Sequence, residues 1–215
     1  MEVSRLWLTI AAFLSALFLA TQGGAEESGK FRVDGTTLVF DTENPGEGEE
    51  DSIESEDIDH LLRLLRNNDQ ITTIELNSGG GSVWAANRMQ QIIVDFGLNT
   101  HVHGICESSC VTVFLAGEKR TMSLGSTMGF HQIYWSAPSI ERYYERNRDE
   151  EDWETPFDFA EWMYLDTQDE MYEHLSYMIE RGVDPKFAIK SIRNPGSTMW
   201  RPYRITLLLA GVLTE

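Results

Sequence analysis

Positive charge is what this 215-residue chain has least of: 17 Lys and Arg stand against 35 Asp and Glu, for a net charge of −18. So acidic a surface repels phosphate backbones and anionic headgroups, which sets aside nucleic acid and anionic lipid as partners. Cysteine is nearly absent; Cys106 and Cys110, four positions apart, are the only two. Long apolar runs are limited to Leu6–Ala20, broken only by Thr9 and Ser15. No other segment is long and apolar enough to span a bilayer, which takes roughly 20 residues. Neither G-x-G-x-x-G nor Gly-Lys-Ser/Thr occurs, so the dinucleotide-binding and P-loop readings fail. No internal repeat is visible.

The one apolar run has the layout of a secretory signal. Arg5 precedes it, and the small residues Gly23-Gly24-Ala25 follow it as a small-x-small cleavage site. Residues 1–25 are therefore expected to be a signal peptide and 26–215 a single exported domain, in a bacterial periplasm, with no stable membrane contact after cleavage. The competing reading is an uncleaved N-terminal anchor. About 190 residues suffice for one core. In an exported chain two cysteines invite a disulfide. A bridge is feasible if Cys106 lies just before a helix and poor if both lie within it; two buried thiols remain the alternative.

Strand and helix patterns alternate along the chain. "FRVDGTTLVF" reads as a hairpin around Asp34-Gly35. Asp41–Asp59, with ten acidic residues and no basic one, reads as a solvated loop. A helix follows through "IDHLLRLLRNN", then the strand "ITTIEL", the turn "NSGGGS", and a helix closed by Gly97. "NTHVHGI" is the next strand, "SSCVTVFLAG" the next helix, and "KRTMSLG" and "STMGFHQIY" two further extended segments. This order predicts an α/β fold with a mainly parallel sheet. Tyr134–Glu173 breaks the rhythm, with 13 acidic residues, three arginines and ten aromatics. It is read as an acidic, aromatic-rich helical insertion that packs on the body of the domain, and that could also act as a lid or contact arm. "MYEHLSYMIERG", "PKFAIKSIRN" and "ITLLLAGVLTE" read as later, separate helices.

Two turns could carry chemistry. In "ELNSGGGSV" a strand ends at three glycines before a helix, so backbone N–H groups there could face a developing negative charge. In "GICESSC" the same strand–turn–helix pattern places hydroxyls near the carboxyl end of a strand, where open α/β sheets hold their sites. A serine there needs a base. His60 and His174 read as residues on polar helix faces, and His101 and His103 as strand residues on one face. His131 follows a Gly-Phe step at the end of an extended segment, which places it beside the serine turn.

With these motifs in order, the chain resembles the Clp protease proteolytic subunit and the wider crotonase-like superfamily, whose fold repeats β-β-α units. It looks most like small exported proteins of that group. "LNSGGG" matches that family's Asn-Ser-Pro-Gly-Gly with Gly79 in the proline's place. Ser108 stands nine residues before Gly117 of "LAG", as the family's nucleophile does before its glycine, and "MGFHQ" matches the segment of its base. The resemblance implies a serine hydrolase, a peptidase, with Ser108 as nucleophile and His131 as general base. It implies an oxyanion hole from the Gly81 and Ser109 amides, peptide or protein as substrate, and neither metal nor cofactor. The family's third residue, an aspartate, falls near Ile192 or Pro195. Asp184, Ser191 and Asn194 are the polar residues nearby, and Asn194 is taken as the group that orients His131. The segments that dock and stack Clp rings have no counterpart, so a Clp-like barrel is not expected, although a homo-oligomer stays open. A non-catalytic relative that binds a peptide or protein partner is the alternative. Coenzyme-A chemistry is set aside because export removes the chain from that cofactor.

Overall fold

Asp34 and Gly35 turn the chain between β1 (Phe31–Asp34) and β2 (Thr37–Asp41), an antiparallel hairpin. The computed structural model describes residues 29–215, so the expected signal segment 1–25 lies outside the described residues. β2 pairs in parallel with β3 (Thr73–Ser78), and β3 with β4 (Asn99–Glu107). The first half of β4 pairs with β5 (Arg120–Met122), and its second half with β6 (Thr127–Gly129), both in parallel. The expected mainly parallel α/β sheet is what forms. Leu38, Phe40, Ile74, Leu76 and Val102 point to one face and are fully buried, as the period of two in β-strands requires. Helices α1 (Ser55–Asn67), α2 (Val83–Asp95) and α3 (Cys110–Leu115) supply the other side of that core through Leu61, Met89, Ile93 and Phe114.

Two features place the site. First, the β3–β4 register slips: Leu76 pairs with Val102, but Ser78 pairs with Cys106. The extra residues of β4 bulge at Gly104, where φ is +108°. A Cβ there would lie 2.2 Å from Asn77 Oδ1. That same oxygen accepts the Ile105 N–H at 3.0 Å and fills the gap in the ladder. The bulge swings Cys106–Glu107 away from β5 and onto β6, so the serine turn arrives beside Phe130 and His131.

Second, α3 is buried at every one of its six residues, so the carbonyls at its C-terminal end cannot reach water. Arg181 donates to the Leu115, Ala116 and Gly117 carbonyls at 2.8–2.9 Å. Arg120 donates to Gly117, Arg181, Gly211 and Val212 carbonyls, linking this cap to the chain's C-terminal segment.

The insertion from Tyr134 onward is helical, as expected, but its helices divide differently. It forms α4 (Ala137–Asn147) and α5 (Pro156–Glu180). The helix expected separately from Met171 is the second half of α5, because Thr155 caps the helix start and no breaker follows before Gly182. Its aromatics pack chiefly on one another: Tyr143, Tyr144, Trp153, Phe159 and Trp162 form one cluster with centroids 4.8–6.4 Å apart. α6 (Pro185–Ser191) and α7 (Arg204–Leu209) complete the fold.

Removing the α3 cap should be expensive. Arg181→Met leaves buried carbonyls without donors, and we expect a loss of about 3 kcal/mol from denaturant unfolding at unchanged m. A loss below about 0.5 kcal/mol, the range of an ordinary surface change, would show that the cap is not needed.

Candidate active site

Ser108 sits between β4 and α3 with φ at +55°, a conformation uncommon for a non-glycine residue. Its N–H is held by the Gly129 carbonyl at 3.0 Å. Cys106, in β4, and Cys110, the first residue of α3, are joined by a disulfide across the turn, with Cα atoms 5.3 Å apart. Glu107 is buried, and both of its carboxylate oxygens accept from Arg201, at 2.6 and 3.0 Å. The serine turn is thereby tied on one side to β6, across its base by sulfur, and on the other side to the segment preceding α7.

Ser108, Ser109, Gly81, His131 and His174 line one cleft of about 420 Å³. His131 is held from below by Phe130, whose ring packs on Phe187 and Trp200 at 5.2 and 5.8 Å. The Phe130 and Trp200 backbones exchange two hydrogen bonds. The His131 Nδ1 lies 2.5 Å from the Gln132 carbonyl oxygen. A carbonyl can only accept, so Nδ1 carries the proton and, in the neutral ring, Nε2 is left as an acceptor. Among the described residues no hydrogen bond joins the Ser108 hydroxyl to the His131 ring, although both line the cleft.

Asn194 does not take the place expected of it. Its backbone carbonyl accepts the Gln132 N–H at 2.8 Å, and its side chain makes no hydrogen bond to His131. The acceptor on His131 Nδ1 is the Gln132 carbonyl instead. Of the other polar candidates, Ser191 reaches the cleft wall, but its hydroxyl donates to the Ala188 carbonyl at 2.7 Å. Asp184 caps α6 through the Phe187 N–H.

The glycine turn also differs from expectation. Its three amides already have acceptors: Gly79 donates to Glu43 Oε1, Gly80 to Ser78 Oγ and Gly81 to Ser109 Oγ, at 2.9–3.1 Å. Ser109 Oγ in turn donates to the Gly81 carbonyl at 3.1 Å. Gly81 is required for a steric reason: Ile53 of the acidic loop crosses it so closely that a Cβ would lie 2.3 Å from the Ile53 nitrogen. The loop read as merely solvated therefore buries Ile53 against the site. The Ser109 amide makes no hydrogen bond within the described residues, and Ser109 is buried at the start of α3.

His174, read as a residue on a polar helix face, stands in the cleft wall. Burial lowers its pKa and keeps the ring neutral. Its neighbour one turn on, Tyr177, donates its hydroxyl to the Thr112 carbonyl at 3.1 Å, and burial raises the pKa of that phenol. The shared inward face of His174 and Tyr177, three apart, was the signal in the sequence. Beyond the cleft runs a second groove of about 860 Å³, shared at Gly81, Val83, Ile133 and Tyr134. From the insertion, Arg142, Arg146 and Glu170 face it, so the charge on the groove differs from the net charge of the segment.

No family model matches the chain, and no curated protein matches it. Solved structures do. A ClpP1 asparagine-to-aspartate mutant from Listeria monocytogenes aligns with a TM-score of 0.54 at 17% identity, covering 76% of this chain and 85% of that one. A second ClpP1 structure from the same organism aligns with a TM-score of 0.50 at 19% identity, over the same shares.

The disulfide generates one prediction. Replacing Cys106 and Cys110 with alanine releases a very short closed loop, which should lower stability by about 2 kcal/mol without unfolding the domain in native buffer. An unchanged denaturation midpoint would contradict a structural role. The fold that carries this serine turn and cleft is Clp-protease-like.

Proposed function

We propose that the protein is an exported serine hydrolase that cleaves peptide bonds, with Ser108 as nucleophile and His131 as general base. The observation that carries the reading is the Ser108 turn, a non-glycine residue held at positive φ between a strand and a buried helix, opening on the same cleft as a histidine of defined tautomer. Strained backbone of this kind concentrates at functional sites. The Clp-protease-like fold and the disulfide, which suits an oxidising compartment, support the same reading.

In the proposed reaction the Ser108 Oγ attacks the scissile carbonyl carbon, and its proton passes to His131 Nε2. The carbonyl oxygen becomes an oxyanion that the Ser109 N–H can receive. The Gly81 N–H can join only if the oxyanion displaces the Ser109 hydroxyl. His131 then returns the proton to the leaving amine as the C–N bond breaks, and water hydrolyses the acyl-serine by the reverse sequence. The Gln132 carbonyl fixes the ring as a carboxylate would, but without a formal charge to stabilise the imidazolium.

A second reading is a peptide-binding protein without turnover. It is favoured by the missing Ser108–His131 hydrogen bond and by the occupied Gly81 amide. A fluorophosphonate probe on the purified full chain separates the two. The enzyme reading expects Ser108 to be labelled, no labelling in Ser108→Ala, retained labelling in Ser109→Ala, and a loss of at least about 100-fold in rate in His131→Gln. A folded wild type that stays unlabelled, or that is labelled at Ser109, would defeat the assignment; peptide binding without labelling would establish the second reading.

A further inference from the structure

The face of the sheet opposite the helices carries a cluster that the proposed hydrolase does not use. Glu75 and His101 are register partners on β3 and β4, and His103 lies two residues further on the same face of β4. Ligand atoms from all three lie within 4.8 Å of one another. Thr121 pairs with His101 across the β4–β5 boundary, and Ser123 follows on the same side. The sheet register alone therefore brings two imidazoles, one carboxylate and two hydroxyls together.

The hydrogen bonds among these groups prepare a ligand set. His101 Nδ1 lies 2.7 Å from Thr121 Oγ1, and its Nε2 lies 2.9 Å from Ser123 Oγ. Ser123 Oγ also lies 3.3 Å from His103 Nδ1. One hydroxyl thus lies within hydrogen-bond reach of a nitrogen on each ring. With His101 Nδ1 donating to Thr121, Nε2 is free to ligate, and the threonine acts as the outer partner that metal-bound histidines commonly have. The Glu75 carboxylate is half-buried and makes no hydrogen bond among the described residues.

We propose that Glu75, His101 and His103 bind a borderline divalent transition metal of the zinc class, with the Ser123 hydroxyl or water completing the shell. Two imidazoles and one carboxylate suit zinc or copper(II) better than calcium or magnesium, which prefer oxygen donors throughout. Tetrahedral zinc needs its donors about 3.4 Å apart, so the carboxylate and the exposed His103 ring must close slightly; Glu75 makes no hydrogen bond among the described residues, and the His103 ring makes only the long one to Ser123. The bound ion would clamp β3 to β4 just below the Gly104 bulge. This runs against the resemblance, which implies no metal, and goes beyond the reading of His101 and His103 as strand residues on one face.

The test is calorimetric titration of the untagged full chain with zinc, with cobalt(II) absorption as the geometric readout. We expect one saturable zinc per chain, a tetrahedral cobalt spectrum, and a rise in thermal midpoint with zinc. His103→Ala, at an exposed position, and Glu75→Gln, which keeps the shape of a half-buried side chain, should each fold and weaken binding by at least about tenfold, and Thr121→Val should weaken it by a similar factor. Zinc binding that is absent, or that survives either ligand variant unchanged, overturns the proposal. Labelling of Ser108 does not enter the test, so the hydrolase reading stands or falls separately.

Discussion

A buried helix six residues long has to be satisfied at both ends without water, and the rest of this structure is arranged around that constraint. At the C-terminal end of α3, Arg181 and Arg120 supply guanidinium donors to its carbonyls. At the N-terminal end the Ser109 side chain makes no cap hydrogen bond to the helix. Ser109 turns its hydroxyl across to Gly81 instead, and Ser108 is forced to positive φ to connect strand to helix. The half-buried Ser108 in the cleft wall is thus a by-product of how a strand is made to enter a helix inside a core. The disulfide and the Glu107–Arg201 pair hold that junction from both sides.

The sheet meets the same constraint from below. A strand in perfect register would deliver the turn beside β5, far from the histidine segment. The slip at Gly104, filled by Asn77 Oδ1, transfers β4 from β5 to β6 and brings the turn to Gly129. From there Phe130, wedged between Phe187 and Trp200, fixes where His131 can be. Cleft, bulge and buried helix are consequences of one another, and a change at Gly104 should be felt at Ser108.

Much of this was legible in the residues. Apolar alternation and glycine punctuation located the hairpin, the parallel strands and α1 to α3. The glycine turn, the serine turn and the Gly-Phe-His step pointed to residues that do share a cleft. What stayed hidden depended on backbone atoms or on register, which residue identity does not encode. The partner of His131 Nδ1 is a peptide carbonyl that any residue could offer, so searching for an acidic side chain near Asn194 could not find it. The amides of Gly79, Gly80 and Gly81 looked free because their acceptors, Glu43, Ser78 and Ser109, arrive mostly from other segments. The alternation of His101 and His103 was plain, but Glu75 joins them only through the pairing of β3 with β4. The helix read as starting at Met171 was not separate, because α5 continues through residues whose pattern looks like a fresh start.

The central claim is that the strained turn presents the Ser108 oxygen to a substrate carbonyl above the Ser109 amide. A crystal structure of the protein with a peptide boronic acid tests it most directly. The account predicts boron bonded to Ser108 Oγ, one boronate oxygen within hydrogen-bond reach of the Ser109 N–H, and His131 Nε2 facing the adduct with Nδ1 still on the Gln132 carbonyl. Boron bonded to Ser109, or a peptide lying in the cleft with no bond to Ser108, would contradict it.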